Sequence, residues 1–494
     1  MKVFRTIGAA LLVCVLLAGM ASAQSWTTVK SPAPQAVGPL LQLRDGRILA
    51  HSDQNGNANV WYILKPDSFG SYENGTWSSG GNFPANYSPF FFSTAVMLDG
   101  KTIIAEGGEY NFGQAVWTTL GSLGTLTPFT GSVSWVANNP PTGWTSIGDA
   151  QNVVLPNGKY LQADCCSKRT AIFNGPNSWT ASGNVLAVRN DESGYTLLGN
   201  DKVLMVDVQR NSNCNGSLKS TEYYDPTTGT WSCGPETTVQ LWIQNDQELG
   251  AAVLTYANTV IQFGGNVNAT SVLDVAANMW KAGPTPPNGQ TQADGPAALE
   301  PNGKVLAMMS PPPLFQGPCQ FLEYDPSNNS LTNTVNSPQC PSDPSFVGHL
   351  MILPTGQIAS ISFDTTINLY NPAPGVVSGV APTIFAASNH LIKGSKNNVL
   401  HGIQLNGLSE NNAYGDDYQA ATNYPLVRLT DVNTGKVYYA WTHDDSTHSI
   451  APNTFGFTKF DLDPNMPGGQ FHMEVVTNGI ASNQVLVNVL SQGT

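Results

Sequence analysis

The sequence predicts an all-β protein, a ring of short antiparallel strands followed by a smaller β domain, and three observations predict it. Only 11% of its 494 residues are Asp, Glu, Lys or Arg, against about 25% in an average globular domain. The 48 glycines and 34 prolines suit strands joined by tight turns and argue against coiled coils, long helical arrays and charged disordered tails. A turn flanked by apolar runs also recurs about every 50 residues, the spacing of a stranded repeat.

Along the chain, residues 1–23 read as a secretory signal. Lys2 and Arg5 open it, residues 7–17 are apolar, and Ala21-Ser22-Ala23 is a small-residue cleavage site. Cys14 lies inside the apolar run, so a lipid anchor is not expected. No later apolar run reaches the ~20 residues of a membrane helix, so no membrane span is expected. The expected location is secreted, extracellular or periplasmic, from Gln24 onward. Six further cysteines then meet an oxidising compartment. Cys214 with Cys233, and Cys319 with Cys340, are close enough to staple local loops, whereas the adjacent Cys165 and Cys166 either form a vicinal disulfide or stay reduced. The net charge of -13 repels phosphate, so nucleic acid and anionic membrane surfaces are not expected partners.

The repeated turn centres on Gly46, Gly100, Gly158, Asp201, Asn258, Gly303 and Gly356. Asp-Gly and Asn-Gly between apolar runs mark hairpins, because the turn takes positive φ. Such a repeat reads as a kelch-like propeller blade. A second element follows each hairpin: an aromatic strand, a turn and often Trp, as in residues 171–179, 222–231 and 323–331. Outer strands are expected at Trp77, Trp144, Trp179, Trp231, Trp280 and Leu331. The seventh hairpin runs into Asn-Leu-Tyr-Asn-Pro at 368–372 without a Trp strand, and Ser-Trp-Thr-Thr-Val at 25–29 supplies the missing pattern. The expectation is seven blades closed by the N-terminal strand. Six or eight stay open if the irregular stretch 110–139 hides another unit.

From about residue 381 the hairpins stop, and strands at the spacing of a small β-sandwich follow. The fold expected is therefore a seven-bladed kelch-like β-propeller over 24–380 and an immunoglobulin-like β-sandwich over 381–494, divided in the Pro- and Gly-containing stretch 372–382.

This order, together with QLNGLSENNAYGDDYQAATNYPLVRL at 404–429, resembles the secreted kelch-type proteins of the galactose oxidase group. The Leu-Asn-Gly-Leu and Tyr-Gly-Asp-Asp elements carry the resemblance. It implies a fold; it also brings the question of copper. Enzymes of that group bind copper with two tyrosines and two histidines, one tyrosine being cross-linked to a cysteine. The matching positions here are Val37 for the cysteine, Phe91 for the cross-linked tyrosine and Phe346 for the other. Phenylalanine has no oxygen to ligate metal, and the group's Tyr-His pair is absent, so intact copper-radical chemistry is not expected. The Ser-Thr-His-Ser around His448 resembles the loop that brings a copper-ligating histidine into the channel. His448, with His443 nearby, is the candidate metal ligand.

Counting nine or ten residues back from each turn gives the residues that open each first strand. In blades three to six these are Asp149, Glu192, Glu248 and Asp294, with Asp191 and Asp246 close by. In blades one, two and seven they are the apolar Val37, Phe91 and Phe346. One arc of the channel mouth is then acidic and the other apolar or aromatic, a site for a cation or for a polyhydroxylated ligand. Crowded carboxylates need a counter-ion, a bound cation or raised pKa values. Calcium is the candidate cation and copper is not. The function expected is a secreted binding or scaffold protein for a carbohydrate or cell-surface ligand, with no catalytic residue assigned. The alternative is a divergent galactose oxidase-like copper oxidase or another carbohydrate-active enzyme.

Overall fold

The computed structural model describes residues 24–52, 59–415, 417–418 and 420–491; the signal expected at 1–23 lies outside the described residues. The repeating unit is a hairpin extended by two strands. Val37–Gln42 and Ile48–Ser52 pair antiparallel across the Asp45-Gly46 turn. Gly46 holds φ +77°, a conformation that costs a glycine little and an L side chain much. Val60–Lys65 and Thr76–Asn82 complete a four-stranded antiparallel sheet.

The same pattern recurs to give seven such sheets, the sixth extended by a fifth strand. Six run in sequence order. The seventh takes its outer strand from the N-terminal end: Ser25–Thr28 pairs with Asn368–Asn371, Ser25 opposite Asn371 and Thr28 opposite Asn368. The seven first strands are Val37–Gln42, Ser93–Val96, Asn152–Val154, Tyr195–Leu197, Leu249–Leu254, Ala297–Leu299 and His349–Ile352. Each packs on the next, and the seventh packs on the first, so the set closes on itself. Aromatic side chains seal the joints between outer strands. Trp26 sits 5.0 Å from the Phe321 ring of the sixth sheet, and the Trp179 indole donates to the Asn139 carbonyl of the preceding sheet.

One expected outer strand is displaced. The fourth strand of the second sheet is Val133–Asn138, carrying Trp135, not a strand at Trp144. Trp135 stacks on Trp61 at 5.2 Å, which is the packing role given to Trp144. Trp144 lies in the next turn under the Arg169 guanidinium. The cause is an insertion: Pro89–Phe90, Tyr110–Asn111 and Gln114–Ala115 form a small separate sheet and shift the repeat. Residues 110–139 thus hold two strands of that insert and two strands of the second sheet, not an eighth unit.

From Thr383 on, two further sheets share one apolar core. Leu400 and Phe460 enter it from one sheet; Leu429, Met473, Val475 and Val487 enter from the other. These sheets rest on the hairpin turns of the ring. The Trp441 indole donates to the Gly100 carbonyl, Asp444 N to the Leu98 carbonyl and His448 N to the Pro156 carbonyl, and the Ser449 hydroxyl to Asp201.

Among the described residues there is no α-helix, and no helix is long and apolar enough to cross a membrane. Three disulfides join Cys165 to Cys166, Cys214 to Cys233 and Cys319 to Cys340.

Candidate functional site

The first strands begin at the end opposite the hairpin turns. There Asp149, Glu192, Glu248, Asp294, Phe91 and Phe346 line a single cavity of about 290 Å³. Six residues spread over more than 250 positions of sequence meet because each stands nine or ten residues before its turn. Phe91, Glu192 and Asp294 hold φ of 47°, 58° and 45°. Non-glycine residues in this region carry about 1–3 kcal/mol of strain each and cluster at functional sites.

The cavity is strongly acidic on one side. Carboxylate oxygens of Glu192, Glu248 and Asp294 lie within 4.8 Å of one another. Asp149 is 7% exposed, and its Oδ1 has no hydrogen-bond partner. Burial is the first cause of raised pKa values throughout. It lifts Asp149 well above the usual range, with help from the Glu109 and Asp191 charges, and Asp294 likewise, with help from Glu248 and Asp417. Glu109 is pushed up to about 7 by burial, opposed by the Tyr110 hydroxyl and reinforced by the charges of Glu248 and Asp191. No Lys or Arg lines the cavity among the described residues. The nearby Arg189 is 2.8 Å from Asp191. The other side is aromatic. Phe346 packs on Phe315 at 5.1 Å and Phe91 on Tyr110 at 6.2 Å.

The count from the turns misses five lining residues: Glu109, Tyr110, Phe315, Tyr414 and Asp417. Glu109 follows a second strand, where the count does not look. Tyr414 and Asp417 belong to the segment 404–424, which leaves the C-terminal sheets and runs up inside the ring. Asn412–Ala413 pairs with the first strand Ala297–Leu299, and Asn412 Oδ1 accepts from Ile352 N. The Tyr414 hydroxyl donates to the Phe346 carbonyl, and Tyr418 accepts from Phe91 N at 2.9 Å. The Tyr-Gly-Asp-Asp element was therefore a legible signal for the cavity: adjacent acids in a chain poor in charge.

Two candidate metal ligands are elsewhere. Neither His443 nor His448 lines the cavity. Their loop packs on the hairpin turns, while the loop that enters the ring is 404–424. His443 has its ring nitrogens on Asp444 and Asp461 and stacks on Trp441. His448 Nε2 faces the Asn423 amide at 3.0 Å, and burial together with the Arg44 charge lowers its pKa to about 3. Val37 is also absent from the cavity; it is fully buried in an apolar cluster with Leu64 and Met351.

These shifts fix a pH dependence. A carboxyl whose pKa is raised by folding contributes stability below its unfolded pKa and loses it as pH rises through the folded value. Glu109 therefore weakens the fold as pH rises from about 4.5 to about 7, and Asp149 and Asp294 act in the same direction. His448 and His349, both lowered to about 3, act in the opposite sense and weaken it below about pH 6.5. The expected result is a melting temperature that falls toward both acid and alkaline pH. Glu109→Gln should flatten the alkaline limb. An unchanged limb would show that this carboxyl is already ionised in the folded protein.

No family model matches the sequence, and no curated protein matches it. Among solved structures, a fungal alcohol oxidase of the AA5 family, solved in complex with copper, is similar over 94% of this chain and 99% of that chain, with 14% sequence identity and a TM-score of 0.53. Virginiamycin B lyase from Staphylococcus aureus matches 71% of this chain and 99% of its own, at 10% identity and a TM-score of 0.47, too loose a likeness to carry weight. At these identities the likeness to the alcohol oxidase is one of fold: the chain is nearly all β and shares the overall arrangement of a galactose oxidase-like protein.

Proposed function

We propose that residues 24–380 form a seven-bladed kelch-like β-propeller closed by its N-terminal strand, that residues 381–494 form an immunoglobulin-like sandwich, and that the chain is a secreted binding protein for a carbohydrate or other polyhydroxylated cell-surface ligand. The cyclic packing of the seven sheets supports the first part, and the two sheets around one core support the second. The signal-like leader and three disulfides support secretion.

One observation carries the ligand: a cavity with carboxylates on one side and aromatic rings on the other. Sugar hydroxyls donate to carboxylates, and the apolar face of a sugar ring stacks on an aromatic one. Its volume sits near the lower end of small-ligand pockets, about 300–1,000 Å³, which suits one sugar ring better than a long chain. The copper-radical chemistry of the galactose oxidase group finds no support, because Val37, Phe91 and Phe346 offer neither thiol nor phenol. A second reading, a carbohydrate-active enzyme of another kind, is favoured by Glu109. A carboxyl with a pKa near 7, beside ionisable neighbours, suits general acid–base work.

Glycan binding to the purified protein tests both. Phe91→Ala is expected to weaken binding at least tenfold while shifting the melting temperature only a few degrees. Parent-like glycan affinity in that variant would sink the reading. A hydrolysed or eliminated product that disappears in Glu109→Gln would replace it with the enzymatic one.

A further inference from the structure

We infer that Glu192, Glu248 and Asp294, completed by Asp149, hold one calcium ion at the mouth of the ring. Oxygens of Glu192, Glu248 and Asp294 are separated by no more than 4.8 Å, the span of two Ca–O bonds of about 2.4 Å. The four carboxylates open the first strands of four successive sheets, so the closed ring fixes their spacing as no single loop does. Three of their oxygens, Asp149 Oδ1, Glu248 Oε2 and Asp294 Oδ1, are buried without a hydrogen-bond partner.

Asp149 is the independent sign of a ligand. It stands outside the tight trio and lines the same cavity, more than nine-tenths buried, and its Oδ1 has no hydrogen-bond partner. An ionised carboxylate so placed costs several kcal/mol unless paired, and among the described residues no Lys or Arg lines the cavity to pair it. A hard divalent cation supplies the missing charge. All four donors are carboxylate oxygens, with no imidazole or thiolate, which selects against copper and zinc. Magnesium demands shorter bonds of about 2.0–2.1 Å and a near-regular octahedron, and it usually keeps several waters. Calcium tolerates the wider, irregular set. Asp417, which acts on Asp294, adds a further negative charge beside the site.

Glu248 is hydrogen-bonded to both Glu192 and Asp294, which holds the three carboxyl groups at one point. The inference stands apart from the carbohydrate reading, since it needs no sugar.

Calorimetric titration of the chelated, full-length protein with calcium chloride, in the absence of glycan, tests it. One ion per chain is expected. Glu248→Gln, and separately Glu192→Gln, should each weaken binding at least tenfold while near-ultraviolet circular dichroism shows the parent fold. The idea is overturned if about 10 mM calcium gives neither heat nor a rise in melting temperature. It is equally overturned if magnesium binds as well as calcium, or if both variants bind calcium as the parent does. Repeating the glycan titration in chelator separates the two proposals, because sugar binding without calcium leaves the first intact and says nothing against the ion.

Discussion

Arg44→Ala is expected to destabilise the protein by about 3–5 kcal/mol, the usual cost of breaking a buried ion pair. Arg44 lies in the first hairpin turn and is fully buried. Its Nη1 is 2.5 Å from Asp445, whose side chain is 2% exposed. The guanidinium also lies 4.3 Å over the Tyr424 ring, and the Arg44 carbonyl accepts from Thr442 N. One residue thus ties the ring to the C-terminal sheets through charge, ring face and backbone. Alanine leaves the Asp445 carboxylate buried beside nothing positive. Two guanidinium nitrogens, Nε and Nη2, have no partner, so the pair is incompletely satisfied. Arg44→Met combined with Asp445→Leu should therefore cost less than Arg44→Ala alone. Urea unfolding of the three proteins measures this; a loss under about 1 kcal/mol for Arg44→Ala would mean that solvent reaches the pair.

Gly100→Ala is expected to cost about 2–4 kcal/mol, because two penalties coincide at the second hairpin turn. Its φ is +73°, and a Cβ there would stand 2.2 Å from the Thr442 carbonyl oxygen, a backbone atom that cannot rotate away. The Gly100 carbonyl also accepts from the Trp441 indole, so any shift of the turn breaks the seat of the C-terminal sheets. Gly113 is the control: its φ is +70°, yet a Cβ would meet nothing within 4 Å. Gly113→Ala should show the conformational penalty alone, about 1 kcal/mol. Equal losses in the two variants would remove the turn from the interface.

Both variants act at turns that the sequence made easy to find, and the reason is geometric. An Asp-Gly or Asn-Gly turn between apolar runs is a local signal, and the strand before it has a fixed rise per residue. Counting back from the turn therefore reached Asp149, Glu192, Glu248, Asp294, Phe91 and Phe346, which share one cavity. The count worked only for first strands. Glu109 follows a second strand and stayed hidden. Trp144 was mistaken for Trp135 because an inserted sheet moved the repeat. His443 and His448 were placed at the wrong end for another reason. Which of two loops enters the ring is decided by a two-residue pairing, Asn412–Ala413 on Ala297–Ala298, and so short a bridge leaves no periodicity to read.

The pairing of Ser25–Thr28 with Asn368–Asn371 sets the order of events in biosynthesis. Thr28 bonds a side chain 340 residues further on, so the segment made among the first waits for one made much later. Until that partner emerges, the N-terminal strand has unpaired edges, and open edges recruit neighbouring chains. Pairing across such a separation is also slow, since a long loop must close before its contacts form. Chains that end before residue 371 should accordingly be more aggregation-prone than chains that extend beyond it.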